Sequence, residues 1–523
     1  MKNILLKTAF FGASFLMLAA CKKTLDPKNE NPYGASSELL SQDFNNIKSL
    51  FSPMFNNVIS TATSYQTQQG LQGDVWAGYM GTPTDFRGGS NNTTYDLVDG
   101  WNNTCWNLAY TGVMANALKI EQRAKGKYDQ FYALSLIIKV EAMHRIADSF
   151  GPVVYSKYGT TAAIIPYDSQ EEAYNAMFAD LDNAITILTN KINAKEASTF
   201  VGTDITAYAG NYTKWVMFAN SLRLRLAMRI VKVNPALAKT QAEKSVAHPV
   251  GVLVANADVC KVISPNVTNP LSTISGSWDD IRMSADMESI LVGYADPRVA
   301  GYFLKSSAYP DYKGIRTGIQ INAKSDRVSF SKIGAVIENK ETVWMTTAEV
   351  YFLRAEGALR GWNMNGTAKG LYEAGIASSF EQRGVSGAAT YAADNVKLPK
   401  AYVDPVSAVN NAAALNNVTI AWDAAASNEV NLQKIITQKW IAAFPDGQEA
   451  WSEYRRTGYP KIFPVIKNTS GGKIDSATGI RRINFVESER SGNPGGVATA
   501  LTKLSGPDNG GTRLWWDVAG PNF

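Results

Sequence analysis

Histidine is nearly absent from this sequence: His144 and His248 are the only two in 523 residues. They lie too far apart for a paired helical metal motif, and no CxxC occurs, so a transition-metal site is not expected. Cysteine is almost as scarce, with Cys21, Cys105 and Cys260. No Walker sequence, nucleotide-type glycine fingerprint or G-x-S-x-G is present, which removes the common signatures of nucleotide binding and serine-hydrolase chemistry. An excess of one charge is missing too. The formal charge is +5, and without Lys2 and Lys7 it is +3. No basic patch stands out, so nucleic acid is not expected as a partner. Beyond residue 20 no apolar run approaches the roughly 20 residues that a bilayer-spanning helix needs.

Lys2 and Lys7 flank or precede an apolar stretch, Thr8 to Ala20, that is too short to persist as a membrane helix. A basic start and a short apolar core read as a signal peptide, residues 1–20. Leu18-Ala19-Ala20-Cys21 fits the lipobox of bacterial lipoproteins, where small residues precede the cysteine that receives lipid. Cys21 is the expected lipidation site, and several acyl chains would make the anchor stable. Residues 21–37, polar and carrying Pro27 and Pro32, read as a lipidated tether. Cys105 and Cys260 read as buried small apolar residues, with a disulfide between them as the alternative.

The remainder, 38–523, reads as a single mainly α domain. Helical patterns run over 36–60, 103–123, 127–149, 169–193, 212–233, 346–362 and 366–381. Ser169 and Glu172 form a capping box, and Ala173, Met177, Leu181, Ala184 and Leu188 fall on one stripe. Thr346 and Glu349 suggest a second capping box. Gly357, Ala358, Gly370 and Gly375 would let facing helices approach closely, with Ala358 on a packed face beside Ala355 and Trp362. Helix pairs of this length suggest tetratricopeptide-like units. The helical-repeat scaffold is expected over about 38–248 and 346–382. An irregular, loop-rich lobe with a few short strands, such as 259–263 and 328–333, is expected over about 249–345 and 383–523.

What is plentiful is aromatic: 12 Trp, 23 Tyr and 20 Phe. Aromatic faces stack on sugar rings, and amides and carboxylates take sugar hydroxyls. Trp106, Trp215, Trp362, Trp440 and Trp451 sit in helical patterns and read as core. Trp76, Trp101 and Trp278 sit in loop-like sequence. Candidate ligand-binding residues are therefore Trp76, Tyr79 and Arg87 in the 61–100 stretch, and Trp278, Asp279, Tyr309 and Tyr312 further on. That stretch is rich in Gly, Gln, Thr and Asn and could instead face a partner. His144 reads as structural. No cofactor or catalytic residue is assigned, and a structural calcium is left open.

Four segments together resemble the SusD/RagB family, in its shorter SusD-like branch. They are Ala147 to Tyr155, Glu172 to Leu188, Thr347 to Glu356 (TAEVYFLRAE), and Gln438 to Pro460 with its Tyr454-Arg455-Arg456-Thr457-Gly458-Tyr459-Pro460 end. Pro152 stands where the family pattern has Asp. The resemblance implies a tetratricopeptide-like scaffold and an outer-membrane lipoprotein that binds glycans as the lid of a SusC-like TonB-dependent transporter. It touches the membrane only through its lipid. Arg354 and Glu356 then belong to the scaffold. Cys21 is followed by Lys22-Lys23-Thr24 and not by the acidic cluster that favours surface display. A peptide-binding lid on the same scaffold is the alternative, and a surface glycosidase a remote one, since paired carboxylates can be distant in sequence. Cys21→Ala is expected to release the protein in soluble form; detergent-phase partitioning at wild-type levels would refute the lipid anchor.

Overall fold

A computed structural model describes residues 42–263, 269–334 and 340–523. The signal peptide, Cys21 and the tether lie outside the described residues. The chain divides into two units, Met1–Ser49 and Leu50–Phe523. In the first, the described part is a 3-10 turn, Gln42–Phe44, followed by one helical turn, Asn45–Lys48. The second carries all the described helices of eight residues or more. These are α1 (Phe51–Val58), α2 (Asp99–Asn107), α3 (Ala115–Ala124), α4 (Asp129–Phe150), α5 (Gln170–Asn193) and α6 (Tyr212–Arg229). They continue with α7 (Pro235–Ala247), α8 (Thr347–Leu359), α9 (Ala368–Gln382), α10 (Asn428–Ala443), α11 (Gly447–Thr457) and α12 (Pro494–Leu501). Four short strands form two antiparallel pairs: β1 (Met80–Gly81) with β3 (Arg282–Met283), and β2 (Cys260–Ile263) with β4 (Glu341–Met345). The fold is mainly α, a helical-repeat scaffold with irregular segments between the pairs.

Local chemistry explains the helix ends. The Ser169 hydroxyl accepts the Glu172 N–H (3.1 Å), and the Glu172 carboxylate accepts the Ser169 N–H (2.6 Å), closing the expected capping box. The stripe from Ala173 to Leu188 is fully buried. α4 stops at Gly151, whose φ of 93° is a conformation that glycine adopts without a Cβ penalty. At α8 the box is only half made. Thr346 accepts the Glu349 N–H (3.1 Å), but the Glu349 carboxylate turns to Arg225 instead. α8 ends at Leu359, so Trp362 lies beyond it, and Ala358 is only half-buried. The tight helix contact sits elsewhere on this pair: a Cβ on Gly375 would lie 2.7 Å from the Phe352 ring. Of the two expected strands, 259–263 supplies β2, while 328–333 makes a single bridge, Phe303 to Ile333.

Consecutive helices pack on each other: α4 on α5, α6 on both α5 and α7, and α8 on α9 and α10. The sequence reading assigns 428–457 to the irregular lobe. In the structure these residues form α10 and α11, and their charged side chains reach into the helical scaffold. Arg229 of α6 binds Asp148 of α4 (3.1 Å) and both Glu449 and Glu453 of α11. Arg225 binds Glu349 of α8 (2.8 Å). Arg456 binds Glu356 and Glu453, and Lys439 of α10 binds Glu449 (2.8 Å). All these groups are buried. Arg354 is scaffold too, donating to the carbonyls of Met364 and Asn365.

Burial alone would raise the Glu449 carboxyl, but Arg229, Lys439 and Arg225 outweigh it and hold it below the usual carboxylate range. A carboxyl depressed in the fold contributes stability that is present above its ordinary value of 4.5 and lost as pH falls through the lower folded value. Glu449→Gln breaks a buried network, which typically costs about 3–5 kcal/mol. The variant is expected to melt well below wild type at neutral pH, with the gap narrowing in acid. Calorimetric scans between about pH 7 and pH 3 check this, and a gap independent of pH would refute it.

Candidate functional site

The Gly-, Gln- and Asn-rich stretch from 61 to 100 is largely buried, not a surface loop. Its side-chain amides replace the hydrogen bonds that regular structure would supply. Gln72 donates to the Thr67 carbonyl (2.6 Å), Gln68 accepts the Ser60 N–H (2.6 Å), and Asn92 donates to the Asn102 side chain (3.0 Å). Buried backbone groups need such partners, so a polar composition here signals internal satisfaction and not exposure.

Two candidate residues are lost to the core for this reason. The Trp76 indole N–H donates to the Asn92 carbonyl (3.0 Å), and its ring packs on Trp451 with centroids 4.7 Å apart. Tyr79 is fully buried; its hydroxyl donates to the Trp440 carbonyl and its ring contacts Trp440 and Phe444. Neither can meet a ligand from solvent.

Trp278 behaves oppositely. Of the twelve tryptophans it alone is exposed, at 42%. Its backbone is nevertheless held: its N–H donates to the Thr273 carbonyl (2.8 Å), and its own carbonyl accepts Lys324 Nζ (2.6 Å). Asp279, at φ +56°, pairs through Oδ1 with Arg282 and Lys332, both at 2.7 Å. Burial opposes ionisation of Asp279, but these two cations overcome it and pull its carboxyl below the ordinary value. Asp280 is saturated by Lys324 (2.9 Å), Thr84 (2.7 Å) and Gln66 (2.9 Å). The result is an indole face presented to solvent on a loop whose carboxylates are spent on bracing it.

The Thr84–Asp280 bond brings a second segment to the same patch. Two residues along the chain, a reach of at most about 7 Å, is Phe86, packed edge-on against half-buried Trp101 (5.7 Å). Arg87 follows, exposed in a turn at φ +56°, and its guanidinium has no partner among the described residues. Tyr309 and Tyr312 ride on the adjoining loop and are half-buried. Tyr309 packs on Phe330 (5.4 Å), and Tyr312 lies under Lys305 (5.9 Å). Lys332, two residues from Phe330, is the Asp279 partner that links this loop to the Trp278 turn. The structure thus keeps Trp278 and Asp279 at the surface, leaves Arg87 exposed three residues along the chain from the Thr84–Asp280 bond, holds Tyr309 and Tyr312 half-buried on the loop tied to Asp279 through Lys332, and buries Trp76 and Tyr79. Gln66, Thr84, Phe86 and Lys324 were not legible in advance, because the bond joining 84 to 280 has no local sequence signal.

Other chemistry is sparse. Among the described residues no group of three or more His, Cys, Asp or Glu side chains could hold a metal ion. His144 is buried with Nδ1 on the Val140 carbonyl (3.1 Å), and burial, then Arg225 and Arg145, push its pKa well down. Cys105 and Cys260 are buried and unbridged. No described helix is long and apolar enough to cross a membrane. A solvent-open pocket of about 420 Å³, lined by Tyr65, Gln69, Trp344, Arg383 and Asp446 among others, contains none of the expected residues.

The family model for SusD-like proteins, described as Susd and RagB outer membrane lipoprotein, matches residues 27–517. A chitin-binding SusD homologue from Flavobacterium johnsoniae is 64% identical, with TM-score 0.91, covering 92% of this chain and 100% of that one. A SusD homologue from Bacteroides vulgatus is 37% identical (TM-score 0.87, 92% and 99% covered). One from Bacteroides uniformis is 36% identical (TM-score 0.85, 90% and 99% covered). No curated protein matches the chain in sequence. With the family model spanning nearly the whole chain and solved relatives well above 30% identity over nine-tenths of it, this protein belongs to the SusD/RagB family of outer-membrane lipoproteins.

Proposed function

We propose that this protein binds oligosaccharides at the Trp278 patch, without turning them over, and passes them as a lid to a SusC-like TonB-dependent transporter at the cell surface. The observation that carries the binding site is the single exposed tryptophan on a braced turn. An ordinary loop tryptophan folds onto the core, as Trp76 does. Holding Trp278 outward by Lys324, Arg282 and Lys332 keeps an apolar face in water, a cost that a stacking ligand offsets. Arg87, exposed three residues along the chain from Thr84, offers donors for sugar hydroxyls on the neighbouring segment. The chitin-binding relative at 64% identity supports a chito-oligosaccharide as the first ligand to test. Delivery to a transporter, lipid anchoring through Cys21 and outward orientation rest on family membership and the lipobox.

Trp278→Ala is expected to weaken chito-oligosaccharide binding about tenfold, corresponding to roughly 1–1.5 kcal/mol for one stacking platform. The melting temperature should stay near wild type. Trp76→Ala, in contrast, should cost about 3–5 kcal/mol of stability. Calorimetric titration and melting on the same samples separate the cases. Unchanged glycan affinity in the Trp278 variant would move the site elsewhere, and capture of peptides but no glycan would favour the peptide-binding alternative.

A further inference from the structure

A second concavity lies far from the Trp278 patch in composition and shares no residue with it. It has a volume of about 380 Å³ and is walled by the C-terminal end of α11, the segment after α6 and the stretch 513–520. Six cationic residues line it: Lys232 and Arg513 are half-buried and Lys461 is exposed, while the guanidinium groups of Arg455, Arg456 and Arg481 are buried in its wall. No carboxylate lines it. In a protein whose acidic and basic residues nearly balance, that asymmetry is specific to this place.

The neighbouring acids neutralise only part of it. Glu356 and Glu453 satisfy Arg456 from behind the wall. Arg481 and Arg513 share one carboxylate, that of Asp517, with Arg481 Nε at 2.7 Å from Oδ2 and Arg513 at 2.6 Å from Oδ1. Lys232, Arg455 and Lys461 form no ion pair among the described residues. Lys232 donates only to the Gly520 carbonyl (2.9 Å). Arg455 is sandwiched between Trp451 and Trp516 and donates to the carbonyls of Asp148 and Arg481. The Lys461 ammonium is exposed and unbonded. Burial pushes both Arg455 and Lys232 below their ordinary values, the mark of positive charge held without an adequate counter-ion.

We propose that this pocket is a binding site for a small oxyanion: a phosphate, or the charged group of an acidic or phosphorylated sugar. The Lys232 and Lys461 ammonium groups and the partly exposed Arg513 guanidinium, at a concavity with no carboxylate among its lining residues, match the oxygens of such groups, and the volume holds one sugar ring with its charged substituent. The neutral glycan read at Trp278 needs none of this charge, so the two sites take different chemistry.

The test is titration of the intact folded protein with inorganic phosphate, glucose 6-phosphate and glucuronate, each at ionic strength held constant with chloride. Saturable binding of at least one is expected, weakening as salt rises. Lys461→Glu should weaken it on the order of tenfold, by reversing an exposed charge at the rim. Lys461→Arg should retain it, and both variants should bind chito-oligosaccharide as wild type does, which separates this site from the Trp278 patch. Tighter binding of the sugar anions than of phosphate identifies a charged sugar as the ligand; phosphate alone identifies a free oxyanion. Absence of saturable binding to all three, or equal binding by Lys461→Glu and wild type, overturns the proposal.

Discussion

The structure depends on a charge network that the helices bury between them. Arg229 stands at its centre, holding Asp148, Glu449 and Glu453, with Lys439, Arg456, Glu356, Arg225 and Glu349 around it. These residues come from α4, α6, α8, α10 and α11. Apolar burial is non-directional, so helices with small residues at their contacts could pack in several registers. A guanidinium between carboxylates tolerates few. Removing any one member leaves an unpaired charge in a low-dielectric interior, so the network is satisfied only when all five helices are in place.

The same requirement shapes what the scaffold presents. The 61–100 segment has little regular structure, yet it is buried, because its amides supply backbone partners from within. Asp74 accepts from Tyr65 (2.8 Å) and Gln69 (3.0 Å), and Arg145 joins Gln69 (2.9 Å) to Asp446. The segment links the α10–α11 turn to the face where Thr84 and Gln66 grip Asp280. Trp278 is therefore exposed on a rigid support and not on a floppy loop. For the glycan site proposed at Trp278, a preset platform lowers the ordering cost of binding a flexible chain.

Local chemistry was readable wherever both partners lie within one helical turn or one stripe. The Ser169 capping box, the Ala173–Leu188 stripe and the stop at Gly151 are of this kind, and they sufficed for a mainly α fold. The family resemblance also rests on such helices, for example the TAEVYFLRAE string of α8. Glu349 shows the limit. Its spacing from Thr346 predicts a capping box, but a buried Arg225, 124 residues away in sequence, competes for its carboxylate and wins. Charge-assisted bonding in the interior is stronger than a cap at a helix end.

By itself, then, the sequence determined the striped and capped helices such as 169–193, the lipobox at Cys21, the absence of metal and nucleotide motifs, and an aromatic content suited to sugars, but not α10 and α11. Tertiary structure alone decided which aromatics are free to act. Trp76 and Trp278 have similar polar, glycine-bearing neighbours, yet one meets Trp451 and the Asn92 carbonyl while the other is turned out to solvent. The six cations of the second pocket come from four separate stretches, and nothing in their spacing foretold that they converge. Burial and charge balance belong to surfaces assembled from distant segments, and a linear pattern reports only on residues that are neighbours along the chain.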